Sequence, residues 1–200
     1  LVPTLRQISD YEDSLEDASL LTAAILPRAQ TALTGLLGAG NEQVYIGRAG
    51  DLFYRQDVDY VTGPGFLTPA KLAARASSGP AWEDPPSPDP RPAIRGLHTA
   101  LAERGIRLLV APIPVKAVVQ NGALARGRSA DAVMQNPSYA TFVQDLRGDG
   151  IDVYDPTADV RSVERRYLRT DSHWTPSAMA AAAAGIARQI TARRTGGAPT

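Results

Sequence analysis

Twice in this chain a helix-patterned run of about a dozen residues stops at glycine and feeds a short apolar run. The first unit is "RPAIRGLHTALAERGIRLLVAPIP", with its stop at Gly105 and a strand expected over 106–111. The second is "NPSYATFVQDLRGDGIDVYDP", with Asn136 as N-cap, Pro137 at the first helical position, Gly148 and Gly150 as the stop, and a strand expected over 151–154. Consecutive strands joined through helices cannot form hairpins. They lie parallel, and a parallel sheet needs helices on its faces to bury it. The class this predicts is α/β, mainly parallel, flanked by helices.

The rest of the chain adds punctuation. Residues 1–40 read as a helical segment: Ser9 to Glu12 form a capping box, Pro27 kinks or splits the helix, and Gly38 and Gly40 end it. Val44–Ile46 and Leu52–Tyr54 flank Gly47-Arg48-Ala49-Gly50 as a hairpin or strand–turn–strand. A Gly/Pro turn then leads to a short helix with Thr68 as cap and Pro69 behind it. Residues 79–92 form a Pro-rich surface loop. A final helix opens at Thr175-Pro176 and runs to about Arg194.

Composition narrows the function classes. With 200 residues the chain suits one domain, and 44% hydrophobic with 21% charged residues is ordinary for a folded one. Lys+Arg and Asp+Glu are both 21, so charge offers no case for nucleic acid as a partner. The absence of cysteine excludes disulfides, thiolate metal sites and a Cys nucleophile. No apolar run reaches the roughly 18–20 residues of a membrane span. The first residue is Leu1 rather than Met, which suggests that a signal peptide, an anchor or more sequence once preceded it.

Chemistry concentrates in "RTDSHWTPS" at 169–177. In an extended chain residues i and i+2 point the same way, so Asp171 and His173 can share one pocket. Asp171 can then fix the imidazole tautomer and leave the other nitrogen free as a base. By spacing alone the same residues also read as a polar turn in which Asp171 and Thr175 cap the next helix. One Asp and one His do not complete a metal shell, and His98 reads as a packing side chain on its helix. Lys116, just beyond the first predicted strand, falls at the sheet edge where open α/β sheets bind ligands. On its own it reads as a solvated loop lysine.

The motif has company. "TDSHWTP" resembles the TD-T/S-HWT signature of the alginate O-acetyltransferase-like family, and "VYIGRAGDLFY" is similar to that family's Gly-Arg/Lys-x-Gly-Trp-Leu-Phe-Tyr segment. "DVDYVTGPG", "APIPVK" and "GIDVYDPTADV" follow in the family's order, so the resemblance spans about residues 10–190. It implies an SGNH-hydrolase-like fold, either one domain over 1–200 or its N-terminal portion. It also implies O-acetyl transfer to, or removal from, an exported polysaccharide: Ser attacks an acetyl donor, His takes its proton and Asp holds the His. Carried over by position, His173 is the base and Asp171 its orienter. Trp174, Lys116 and Arg169 are candidate substrate contacts, and no metal or cofactor is called for. The resemblance further implies a periplasmic or otherwise extracytoplasmic location, with an anchor if the N-terminus was removed, and a membrane-bound acyltransferase as partner.

Two departures stand out. Asp51 occupies the family's Trp position and reads as a surface replacement. The Gly-Asp-Ser block that carries the family's nucleophile does not occur in these 200 residues. An enzyme whose nucleophile lies elsewhere is the first reading. A non-catalytic module binding carbohydrate or a partner protein is the alternative. A truncated sheet would show an open edge, dimerise, or sit against a second chain.

Overall fold

The computed structural model describes residues 43–78, 87–124 and 134–194. The N-terminal helical segment and residues 79–86 of the Pro-rich stretch lie outside these. The chain divides into two compact units, 1–46 and 47–200. Of the first, the described part includes strand β1, Val44–Ile46.

The second unit begins with a 3-10 turn, Arg48–Gly50, where Ala49 and Gly50 take positive φ values of 53° and 77°. Strand β2 (Leu52–Tyr54) follows, then helices α1 (Arg55–Thr62), α2 (Pro69–Ala76) and α3 (Pro90–Ala102). Next come β3 (Leu109–Val110), α4 (Lys116–Val119), α5 (Tyr139–Gly148), β4 (Asp152–Val153), α6 (Thr157–Arg161) and α7 (Pro176–Arg194).

The two repeated units become α3–β3 and α5–β4, and their strands pair in parallel, Leu109 with Asp152 and Val110 with Val153. Both helices stop by the same device. Gly105 and Gly150 adopt φ of 68° and 77°, which costs a residue without Cβ least. The next amide then reaches back five residues, Ile106 to the Leu101 carbonyl and Ile151 to that of Leu146, each at 2.9–3.0 Å. This is the Schellman arrangement, and it turns the chain sharply into the strand.

The strands are shorter than predicted. Of 106–111 only Leu109–Val110 pair, and of 151–154 only Asp152–Val153, with one further bond from the Tyr154 amide to the Val110 carbonyl at 3.0 Å. Ile106, ahead of the paired residues, is half exposed.

Phe142, Val143, Leu146 and Ile151 form a buried cluster against which Phe66, Ile94 and Val110 pack. The Phe66 and Phe142 rings meet edge-on at 5.7 Å, a favoured aromatic geometry. Buried Asn136 holds the loop before α2 in place. Its Nδ2 donates to the Tyr60 carbonyl at 2.6 Å, and its Oδ1 accepts from the amides of Phe66 (3.1 Å) and Ser138 (2.9 Å). These bonds correct the predicted helix start. Pro137 and Ser138 form a turn and α5 begins at Tyr139. Asn136 thus spends its side chain on a long-range cross-link as well as on the local amide.

Helix α1, with Val58 and Val61 buried, was not predicted. The short helices α4 and α6 were not predicted either; each has five residues or fewer, too few for a periodic signal. At the other end of the unit α7 packs on α6. Tyr154 donates its hydroxyl to Asp159, and Arg188 Nη2 donates to the same carboxylate at 2.6 Å.

Candidate active site

Residues 166–175 fold back on themselves ahead of α7. Tyr167 and Trp174 form an antiparallel bridge. The Leu168 amide donates to the His173 carbonyl (3.0 Å) and the Thr175 amide to the Arg166 carbonyl (2.9 Å). Thr175 closes the base of the loop. Its buried hydroxyl donates to the Arg165 carbonyl at 2.6 Å and accepts from the Ala178 amide at 3.2 Å, capping α7 as its sequence position suggested.

Asp171, Ser172 and His173 form a bend at the tip of this loop. Asp171 Oδ1 accepts from the His173 amide at 3.2 Å and lies 2.7 Å from His173 Nδ1. The two side chains meet, though by a different route from the expected extended pleat. The carboxylate of a local Asx turn reaches both the backbone and the ring two residues on. The bond from His173 holds the Asp171 carboxyl below its usual range. With Nδ1 facing a carboxylate, the neutral ring carries its proton there and presents Nε2 as a base. No described side chain is bonded to Nε2, and the His173 side chain is 79% exposed. Packing therefore does little to hold the pair, and its geometry comes from the backbone beneath it.

That backbone rests on Lys116, which is 1% exposed and not the solvated loop lysine its sequence position suggested. Its ammonium donates to the carbonyls of Leu52, Leu168 and Arg169, each at 2.8 Å. Asp51 Oδ1 lies 3.1 Å away, and the Phe53 ring faces the charge at 4.9 Å. Burial pushes the Lys116 pKa down, while the bond from Asp51 and the charges of Asp51 and Asp171 oppose that shift. With its three protons on carbonyls and only 1% of it exposed, Lys116 is built into the protein.

Asp51 is likewise no surface replacement. Its side chain is 13% exposed, accepts from Gln120 Nε2 at 2.9 Å and lies 3.1 Å from the Lys116 ammonium as its counter-charge. Tyr167, buried beneath the loop, donates its hydroxyl to the Pro114 carbonyl, and burial pushes its pKa up to about 12. Trp174 is half-buried on the returning arm, and Arg169 is exposed. The Arg169 carbonyl, not its guanidinium, is what Lys116 holds. His98 is half-buried on α3.

Sequence reasoning brought Asp171 and His173 together but missed the Asp51–Lys116–Gln120 support. The one available signal was a carboxylate placed directly before the apolar run Leu52–Phe53, where a cation is needed to bury it. A groove of about 790 Å3 lies beside β4 and α7, but neither Asp171 nor His173 lines it. Among the described residues no group of three His, Asp or Glu side chains is placed to hold a metal. No helix among them is long and apolar enough to cross a membrane.

An α/β frame with a parallel β3–β4 pair and an Asp–His contact on the loop before α7 fits the SGNH hydrolase-like class, which the family comparison shows. A family model described as "SGNH hydrolase-like domain, acetyltransferase AlgX" matches residues 44–200, and the chain belongs to that family. The chain is 34% identical over 86 residues to a probable alginate O-acetylase, AlgJ, of Pseudomonas aeruginosa, covering 42% of this chain and 22% of that protein. It is 31% identical over 101 residues to the Pseudomonas putida protein of the same name, covering 49% and 26%. The chain thus spans about a quarter of the length of the curated relatives it matches. The solved O-acetyltransferase domain of Pseudomonas putida AlgJ superposes with a TM-score of 0.55 at 24% identity, covering 76% of this chain and 48% of that one. That similarity confirms the SGNH hydrolase-like fold.

Proposed function

We propose that this chain carries the acid–base half of an O-acetyl transfer to the hydroxyls of an exported polysaccharide. The observation behind this reading is the 2.7 Å contact between His173 Nδ1 and Asp171 Oδ1, which leaves Nε2 unbonded among the described residues. Asp171 holds the Nδ1–H tautomer, and Nε2 removes the proton from the attacking hydroxyl. As charge develops on the ring, the carboxylate stabilises the imidazolium. Proton return from Nε2 to the departing group completes the cycle. The nucleophilic serine and the oxyanion donors are not assigned within this chain. Trp174 and Arg169 flank the pair and supply an aromatic face and a cation for a sugar acceptor. An extracytoplasmic setting, an acetyl donor and a membrane-bound acyltransferase partner complete the proposal, and membership of the acetyltransferase family supports the acetyl donor.

The exposure of His173 favours a second reading, in which the loop contacts carbohydrate or protein without chemistry. One experiment separates the two. His173→Ala is introduced into the native gene, and the O-acetyl content of the exported polysaccharide is measured by NMR. A general base contributes about 10²–10⁴-fold, so acetylation should fall to background with the protein still present. Acetylation at the wild-type level would leave only the binding module.

A further inference from the structure

We propose that Lys116 is the positioning residue of the Asp171–His173 pair. It would act from beneath the loop without touching substrate, and the inference rests on the catalytic reading of the pair. Three carbonyl oxygens from two separate segments converge on one point: Leu52 at the start of β2, and Leu168 and Arg169 on the outgoing arm of the loop. Carbonyl oxygens facing one another in a buried space repel unless a donor lies between them. The Lys116 ammonium is that donor, with one proton for each oxygen at 2.8 Å. The Arg169 carbonyl also accepts from the Leu52 amide at 2.8 Å, so the clamp and the backbone bond hold the same residue.

Arg169 lies two residues before Asp171. Where its peptide is held determines where the Asx turn, and with it the imidazole, can sit. The exposed pair has few packing contacts to fix it. Lys116 is held in turn by Asp51, which Gln120 orients, and by the buried face of Phe53. An arginine would not reproduce the clamp, because a planar guanidinium cannot direct one donor to each of three oxygens converging on a point.

The test follows the tautomer of the His173 ring by two-dimensional 1H–15N NMR, which a purely stabilising role would not alter. In the wild-type chain the neutral ring should carry its proton mainly on Nδ1. Lys116→Met keeps the length of the side chain and removes the charge. The double variant Lys116→Met/Asp51→Leu also removes the charge left behind, so that loss of folding cannot mask the result. In whichever variant keeps the wild-type amide spectrum for α5 and β4, the ratio of Nδ1–H to Nε2–H should fall at least about threefold. In the acetylation reaction of the complete protein, kcat should fall between about 10- and 100-fold with KM for the acceptor unchanged, the signature of a misplaced base.

A wild-type ring without Nδ1–H preference, or a variant ring with the wild-type ratio, overturns the proposal. The functional reading fails differently: His173→Ala with undiminished acetylation sinks the chemistry while leaving the tautomer dependence measurable.

Discussion

At the scale of single residues, the notable feature is a buried charge with its counter-charge. Lys116 and Asp51 are 1% and 13% exposed at the side chain. Two such groups gain little over an apolar pair, but removing one strands the other. Asp51→Ala should therefore cost about 3–5 kcal/mol, read as a lower urea midpoint with an unchanged slope. The double variant Asp51→Leu/Lys116→Met should be less destabilised than Asp51→Ala alone. A single-variant loss below about 0.5 kcal/mol, the scale of an ordinary surface change, would show that Asp51 is not the counter-ion. The carboxylate before Leu52–Phe53 calls for a cation, but nothing in the local sequence says that it is Lys116. Asp51 and Lys116 are 65 positions apart, and local patterning extends only a few residues.

At the scale of elements, α7 shows how propensity and packing can oppose each other. Its alanine-rich sequence is a strong helix former, interrupted at Gly185. A Cβ there would fall 1.7 Å from the Tyr154 hydroxyl and 2.6 Å from Asp159 Oδ2. In an isolated helix Gly185→Ala would gain about 1 kcal/mol. In the protein, overpacking of about 1–3 kcal/mol opposes that gain. We expect a net loss, seen as a lower melting temperature, with part of it recovered when Tyr154→Phe is added. A rise in melting temperature would mean that α6 and α7 are not packed as described. The helix ends were the most legible part of these elements. Gly105, Gly150 and Thr175-Pro176 each carry local chemistry that stops or starts a helix whatever lies around it. Strand lengths were not legible, because a strand ends where its partner ends. The start of α5 was misplaced because Asn136 also serves a loop some 70 residues earlier.

At the scale of the whole molecule, burial of tyrosines couples the fold to alkaline pH. Burial is the largest cause that pushes Tyr154 and Tyr167 up to about 12, and it moves Tyr60 and Tyr139 in the same direction. Above the ordinary tyrosine value of about 10 the unfolded chain releases these protons while the folded chain keeps them. The folded state then binds more protons, so stability is complete below about pH 10 and falls as pH rises toward 12. Lys116, with its pKa lowered, works in the opposite direction as one group against four. The urea midpoint should be level to about pH 9 and then decline, and Tyr167→Phe should flatten the decline. A midpoint unchanged between pH 9 and 11.5 would contradict the buried, neutral state of these rings.

The sequence alone determined the α/β class and the two helix–glycine–strand units, and it placed Asp171 within reach of the His173 ring. Each rests on chemistry within a few residues of chain: a glycine that can adopt positive φ, a threonine that caps, a carboxylate that reaches the ring two positions on. Only the tertiary structure decided that the pair is exposed, that its loop is clamped from below, and that Lys116 is structural where it had read as solvated. Those outcomes depend on which carbonyls and carboxylates converge on one ammonium. Leu52, Leu168 and Arg169 come together around Lys116 only once the chain has folded, and the cost of burying that charge without them leaves no trace in the local order of residues.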